Sequence, residues 1–306
     1  MERAATAVVL MAYGTPRTPD EILPYYTDIR RGRPPTEEQL ADLTRRYEAI
    51  GGLSPLAERT EAQRDALQAA LDRRDPAGYH VTLGMKHAAP MIEDAVEEAG
   101  RAGFTDVVAL VLAPHYSAYS VGQYVDRARL GADALGIDVH AIESWATEPA
   151  FVDFLAAEVR ARLAAMPDST RVVFTAHSLP ERILAGGDRY PDELCATANA
   201  VAASAGIPGP RWSIAWQSAG RTPEPWIGPD ILEVIDQMGA DPAVDGVLVC
   251  ACGFVADHLE VLYDLDIEAR ARANRHGLQF DRTACVNDDQ GVMDALAGRV
   301  IEARRH

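Results

Sequence analysis

Eight short apolar runs punctuate the chain, and most are rich in β-branched residues. Thr6–Ala12, Tyr79–Gly84, Val107–Ala113, Asp138–Ile142, Arg171–Thr175, Trp212–Trp216, Val247–Cys252 and Leu278–Arg282 predict strands. Between several of them, Glu58–Asp75, Met91–Ala102 and Phe151–Met166 repeat apolar residues at three- and four-residue spacing, the pattern of amphipathic helices. Strand–helix alternation predicts parallel sheets covered on both faces, the doubly wound α/β class. Four of these strands precede residue 145 and four follow it, with Ser144–Pro149 as a joint. The expected architecture is therefore two Rossmann-like lobes, residues 1–145 and 146–306, each a four-stranded parallel sheet flanked by helices. Ligands of such folds bind beyond the carboxyl ends of the strands, so chemistry is sought there.

Composition narrows the partners. The 306 residues are about twice a typical domain, and 48% hydrophobic with 25% charged content suits a globular protein with a real core. A formal charge of −17 argues against nucleic acid, which requires a basic surface, and against docking on an anionic membrane leaflet. No segment approaches the roughly 18 to 20 apolar residues of a membrane helix. Ala7–Ala12 runs directly into Tyr13-Gly14-Thr15-Pro16 and reads as a first strand rather than a signal peptide. Four cysteines in a chain this long make no disulfide framework, which fits a reducing cytosol.

The strand ends carry an unusual residue set. Tyr13 follows the first strand, Lys86-His87 the second, His115-Tyr116 the third, His177-Ser178 the fifth, Gln217-Ser218 the sixth and Gly253-Phe254 the seventh. Any one of these could be a hydrogen-bonded structural residue; their shared location favours a site. After the seventh strand, Glu260, Asp264 and Glu268 recur every four residues and would line one helical face. Like charges at that spacing repel, so the row reads either as a solvated acidic face or as a hard-oxygen track for a divalent metal. An early basic segment holds Arg30, Arg31, Arg33, Arg45 and Arg46. Arginine forks suit an anionic organic ligand, or could pair with surface acids. No phosphate loop, G-x-G-x-x-G, H-E-x-x-H or G-x-S-x-G pattern occurs, which removes support for nucleotide-driven and common hydrolytic chemistry.

Taken in order, Met11-Ala12-Tyr13-Gly14-Thr15-Pro16, Ala176-His177-Ser178-Leu179-Pro180, Trp216-Gln217-Ser218, Pro225-Trp226-Ile227-Gly228-Pro229 and Gly253-Phe254-Val255-Ala256-Asp257-His258-Leu259-Glu260 resemble ferrochelatase over nearly the whole chain. The block from Arg45 to Leu56 resembles in particular the soluble Gram-positive branch, whose members metallate coproporphyrin III. The resemblance implies a chelatase-like fold and insertion of Fe(II), as substrate, into coproporphyrin III or protoporphyrin IX. It makes His177 and Glu260 the inner catalytic and metal-handling pair, with Asp264 and Glu268 as an outer metal site. Tyr13 would face them across the macrocycle, and Arg30, Arg46, Tyr47, Ser54 and Tyr124 would contact propionates or line the pocket. Asp257 and His258 read as support for Glu260, His87 as a family histidine of doubtful role, and His115 as structural.

The chemistry accounts for these residue types. Two pyrrole protons must leave as iron enters, and a neutral imidazole is a suitable base. Coproporphyrin carries four propionates against two in protoporphyrin, so a pocket rich in arginines and hydroxyls favours the former. Pro34–Leu43 is polar where membrane-resting relatives carry a hydrophobic lip. A cytosolic monomer without stable membrane insertion is expected, meeting an iron donor and a haem acceptor transiently and using no nucleotide.

Some ferrochelatases carry a [2Fe–2S] cluster on four cysteines, and Cys195, Cys250, Cys252 and Cys285 supply that number. The animal enzymes place theirs in a cysteine-rich C-terminal extension not found in this sequence, and buried free thiols are the alternative. Cys250 and Cys252, two apart on a predicted strand, should share a face. Two rival functions are a sirohydrochlorin chelatase, which would typically rely on paired histidines, and a non-enzymatic tetrapyrrole binder of the same fold.

Overall fold

The computed structural model describes residues 5–133, 135–220 and 222–305. The first half runs β1 (Thr6–Ala12), α1 (Ile22–Ile29), α2 (Glu37–Ala49), α3 (Leu56–Arg74), β2 (Tyr79–Met85), α4 (Ile92–Arg101), β3 (Asp106–Val111), α5 (Val121–Asp133) and β4 (Asp138–Ile142). The second runs α6 (Pro149–Leu163), β5 (Arg171–His177), α7 (Arg182–Ala185), α8 (Tyr190–Ala205), β6 (Trp212–Gln217), α9 (Ile231–Gly239), β7 (Gly246–Cys250) and α10 (Leu259–Tyr263). A π-helical turn (Asp264–Ala269), α11 (Arg270–Arg275), β8 (Gln279–Arg282) and α12 (Gln290–Ala303) complete it.

The two four-stranded sheets have the same plan. The first is ordered β2-β1-β3-β4 and the second β6-β5-β7-β8, with every paired strand parallel. β1 and β7 are buried along their whole length, which explains why their sequences are apolar without alternation. In each sheet the chain reverses its direction of winding beside the first-formed strand, between β1 and β3 and between β5 and β7. A doubly wound sheet opens a crevice at such a reversal.

One face of each sheet contributes to a common core. Val8 and Leu10 of β1, Val172 and Phe174 of β5, and Val292, Leu296 and Val300 of α12 belong to a single buried cluster. The outer faces close separately, under α4 and α5 in the first lobe and under α9 to α11 in the second. The last helix, α12, crosses back to pack on α3 as well as α6. That shared packing fixes the two sheets against each other, so groups at their strand ends keep a defined separation.

The strands differ from their sequence expectations mainly at the ends. β5 and β6 continue through His177 and Gln217, while β7 stops at Cys250. Cys252 therefore lies just past the strand, with its amide donating to the Cys250 carbonyl at 2.8 Å. No helix among the described residues is long and apolar enough to cross a membrane.

Candidate active site

Both winding reversals carry chemistry at their carboxyl ends. Tyr13 directly follows β1, His177 ends β5, and Glu260 lies in the first turn of α10, after β7. Two glycines permit the close approaches this requires. Gly14 has φ +86°, and a Cβ there would fall 2.9 Å from that of Ala88. At Gly253 an added Cβ would lie 2.4 Å from the Ala176 Cβ and 2.6 Å from its Cα. Only glycine lets the loop after β7 press on the end of β5, where its amide donates to Thr175 O at 2.9 Å. This contact brings the Glu260 segment beside His177.

His177 Nε2 lies 3.5 Å from Glu260 Oε1, and the two side chains are 34% and 41% exposed. Both side chains are thus partly open to solvent at the strand ends rather than sealed in the core. His177 is held from several sides. Its Nδ1 contacts the Ser178 carbonyl, Tyr190 donates its hydroxyl to His177 O at 3.0 Å, and the Trp226 ring lies 6.5 Å away. Ser178 donates its hydroxyl to Ile227 O at 2.7 Å, straps the loop bearing Trp226 to the end of β5, and so explains the Pro225–Pro229 block. Burial alone would depress the His177 pKa. The Glu260 charge and contact, the Ser178 carbonyl and the Asp264 charge outweigh it and raise the imidazole above its ordinary value. Burial pushes Glu260 the other way, but His177, His258 and Arg46 hold its carboxyl below the usual range. Each member of the pair thus favours the charged form of the other.

His258 caps α10, its Nδ1 accepting from the Glu260 amide at 3.0 Å, and burial lowers its pKa so that it stays neutral in this role. Gln217 Nε2 donates to Glu260 O at 3.3 Å. Beyond Tyr263 the helix widens into the π-helical turn, where a regular α-helix was expected. The wider turn keeps residues four apart on roughly one side, so Asp264 still follows Glu260. Asp264 is not solvated: it is 7% exposed, accepts from Ser218 Oγ at 2.5 Å and pairs with Arg46 Nη1 at 3.5 Å. Burial and the Glu260 charge, against Ser218 and Arg46, leave its pKa raised to about 7, with half-buried Glu268 contributing to the rise.

The first-lobe residues surround this pair unevenly. Tyr13 is 41% exposed and packs edge-on against His87 at 4.6 Å between centroids, and His87 Nδ1 meets Asp28 Oδ2 at 2.6 Å. Burial, then the Glu260 charge, raises the Tyr13 hydroxyl well above 10, so it remains a neutral phenol. Tyr47 and Tyr124 are buried and also feel Glu260; burial pushes Tyr47 up to about 12 and Tyr124 higher still. Lys86 lies 5.0 Å over the Tyr124 ring, and burial brings its ammonium down to about 8. Ser54 is buried, its Oγ accepting from Leu56 N at 3.2 Å at the start of α3. Arg30 lies at the outer rim, 5.7 Å over Tyr26 with Nε donating to Arg33 O at 3.3 Å. Arg46 points inward, 4.7 Å over the Tyr263 ring as well as against Asp264. His115 lies apart: it is buried, bonds Thr197 Oγ1 at 2.8 Å and is pushed down to about 3 by burial.

Ser218, noted after the sixth strand but given no role, and Tyr25, not singled out, join the site. Ser218 adopts φ 60° to reach Asp264, and Tyr25 donates to Gly14 O at 3.3 Å with Glu260's field on its hydroxyl. Ser218's place directly after a strand was a usable signal; Tyr25 had none. A groove of about 320 Å³ lined by Arg171, Trp212 and Met238 is separate, because it lies at the amino ends of β5 and β6.

Cys250 and Cys252 are in side-chain contact and Cys285 feels the Cys250 sulfur, whereas Cys195 sits beside Asn199. Cys195 is exposed on α8, while Cys250, Cys252 and Cys285 are buried, where desolvation raises the Cys252 and Cys285 pKa values. Among the described residues, no group of three or more His, Cys, Asp or Glu is assembled to hold a metal ion. All four are free thiols.

The ferrochelatase family model matches residues 5–304. The coproporphyrin III ferrochelatase of Geobacillus kaustophilus is 43% identical over 308 residues, covering 99% of this chain and 97% of that protein. A ferrochelatase of Herpetosiphon aurantiacus is 44% identical over 300 residues, covering 96% and 97%. Among solved structures, SirB from Bacillus subtilis with Fe3+ superposes with TM-score 0.61 at 12% identity, covering 98% of this chain and 96% of that one. CbiX, described as the terminal enzyme of siroheme biosynthesis in denitrifying bacteria, gives TM-score 0.54 at 14% identity, covering 98% and 99%. At those identities the structural likeness concerns the fold alone, whereas the sequence match over nearly the full length is decisive. The chain belongs to the ferrochelatase family.

Proposed function

We propose that this protein inserts Fe(II) into coproporphyrin III in haem biosynthesis, with His177 and Glu260 as the groups that handle metal and protons. The carrying observation is the partly exposed imidazole–carboxylate pair, 3.5 Å apart beyond the carboxyl ends of β5 and β7. Insertion forms four iron–nitrogen bonds and releases two pyrrole protons. A carboxylate beside His177 strengthens the imidazole as the acceptor of one proton. Glu260 is suited to receive iron and the second proton, because a hard anionic oxygen binds the divalent cation and is ionised at rest. Asp264 and Glu268 extend this carboxylate series outward as the route or outer site for the metal. On the opposite wall, Tyr13 stays a neutral hydroxyl able to approach the metal without adding charge.

Coproporphyrin is favoured over protoporphyrin by the polar surroundings. Arg30, Arg46, Tyr47, Ser54 and Tyr124 supply the contacts for propionates and pocket walls. The segment before and into α2 is charged, with Thr36 and Gln39 forming a capping box rather than an apolar lip. A cytoplasmic location and transient contact with an iron donor and a haem acceptor suit a water-soluble substrate, and we read the protein as a monomer. We read Cys195, Cys250, Cys252 and Cys285 as free thiols that take no part in insertion, rather than as holders of a [2Fe–2S] cluster. UV–visible and EPR spectra of protein purified without air test that point, and an iron–sulfur signal would contradict it.

The direct assay is anaerobic turnover of Fe(II) with coproporphyrin III, protoporphyrin IX and sirohydrochlorin. The proposal expects the largest kcat/KM with coproporphyrin III; preference for sirohydrochlorin, or binding of every tetrapyrrole without metallation, would overturn it.

A further inference from the structure

The π-helical turn after α10 has poorer hydrogen-bond geometry than an α-helix and persists only where its surroundings hold it. Three anchors act on it and on the loop before α10. Arg282, at the end of β8, sends Nε to Asp266 Oδ1 and Nη2 to Asp266 Oδ2, each at 2.9 Å, a two-point fork on the π turn itself. The same Nη2 reaches Asp257 Oδ1 at 3.1 Å, on the loop, while Nη1 donates to Thr283 O at 3.1 Å. The Arg282 side chain is only 14% exposed, so its charge is shielded from water and held by those two carboxylates.

Asp257 is fixed in turn. Asn287 Nδ2 donates to Asp257 Oδ2 at 2.9 Å, and the Asp257 amide donates to Asn287 Oδ1 at 3.0 Å. Asn287 adopts φ 47°, a left-handed conformation that asparagine tolerates better than most residues. Gln63 of α3 then donates to Val255 O at 3.2 Å and Asn287 O at 3.0 Å, tying this loop to the first lobe. Asp257 and Asp266 thus bracket Glu260 and Asp264 in sequence, and one guanidinium joins both brackets.

We propose that Arg282 is a positioning residue: by clamping Asp257 and Asp266 it sets the register of the π turn, and so the placement of Glu260 and Asp264 against His177. Arg282 itself touches neither Glu260 nor His177 through any of these bonds. The inference rests on the reading of Glu260 and Asp264 as metal-handling groups. A lysine at 282 keeps the charge but loses the planar fork, so it cannot hold both carboxylates in the same geometry.

The test uses the full-length protein with Arg282→Lys and Asp266→Asn. Asp266→Asn leaves the Arg282–Asp257 contact in place and provides the answer should Arg282→Lys not fold. Two readouts are compared: backbone hydrogen exchange across residues 256–269, and steady-state kinetics with Fe(II), alongside porphyrin affinity from fluorescence quenching by coproporphyrin III. The clamp predicts faster exchange confined to that segment, at least a tenfold rise in KM for Fe(II), and porphyrin affinity within twofold of wild type. Unchanged exchange, an unchanged KM for Fe(II), or a parallel loss of porphyrin affinity would overturn it. Should wild-type protein metallate no tetrapyrrole, the proposed function fails, while the exchange result still reads the clamp.

Discussion

Arg46 of α2 and Asp264 of the π-helical turn form an ion pair across the two lobes, with Nη1 3.5 Å from Oδ1. The same carboxylate is raised to about 7, first by burial and then by Glu260, against the pull of Ser218 and Arg46. Near neutral pH it is therefore only partly ionised. Iron affinity should fall as pH drops from 8 to 6, because the protonated acid attracts no cation, and Arg46→Ala should move that fall to higher pH. Measurement of KM for Fe(II) against pH checks this; identical profiles for the variant and wild type would contradict it.

The same shift has a stability sign. A carboxyl whose folded pKa lies above its unfolded value favours folding most at low pH, and that benefit disappears as pH rises through about 7. At pH 8 the buried charge is a net cost. Asp264→Asn should therefore raise stability at pH 8 by about 1–3 kcal/mol, part of the relief being offset by loss of the Arg46 pair, with a smaller gain at pH 5. Denaturant melts at the two pH values read this directly.

His177 titrates above its ordinary 6.5, because the Glu260 and Asp264 charges and the Ser178 carbonyl outweigh burial. If its neutral form accepts the pyrrole proton, kcat/KM rises with pH and its midpoint lies above 6.5. Removing the Glu260 charge takes away the largest effect opposing burial and leaves only Ser178 and Asp264 against it, so in Glu260→Gln the His177 C2–H resonance should titrate at lower pH than in wild type. NMR titration of the two proteins decides the matter without needing turnover.

Gly253 carries a packing requirement rather than a conformational one. A Cβ there would overlap Ala176 at 2.4–2.6 Å, involving backbone that cannot swing aside. Gly253→Ala should destabilise the fold by about 1–3 kcal/mol or more and reduce insertion by displacing the loop that leads to Glu260. Thermal melting with an activity assay at reduced temperature measures the two effects.

The strands were legible because a parallel sheet covered on both faces requires unbroken apolar runs such as Val8–Met11 and Val247–Val249, and these survive any detail of packing. Their ends were less legible, since polar His177 and Gln217 continue β5 and β6 through ladder bonds that owe nothing to side-chain hydropathy. The strand-end logic located His177 and Tyr13 at the ends of β5 and β1, but it could not find the π turn. A four-residue carboxylate spacing is compatible with either helix type, and the turn is held by Arg282 and Ser218, partners distant in sequence. Likewise Gln63 looks like an ordinary polar residue of an amphipathic helix until its amide is seen capping two loop carbonyls. Arg46 read as a contact for an anionic ligand, and in the fold it also pairs with Asp264 and lies over the Tyr263 ring.

The central claim is that His177 and Glu260 perform the insertion and do not merely shape the pocket. Anaerobic single-turnover kinetics with Fe(II) and pre-bound coproporphyrin III measure this most directly for His177→Ala and Glu260→Gln. The account predicts rates lower by about 10²–10⁴-fold, the usual range for loss of a positioned base, with porphyrin fluorescence quenching still showing near-native binding. Wild-type insertion rates in either variant would contradict it.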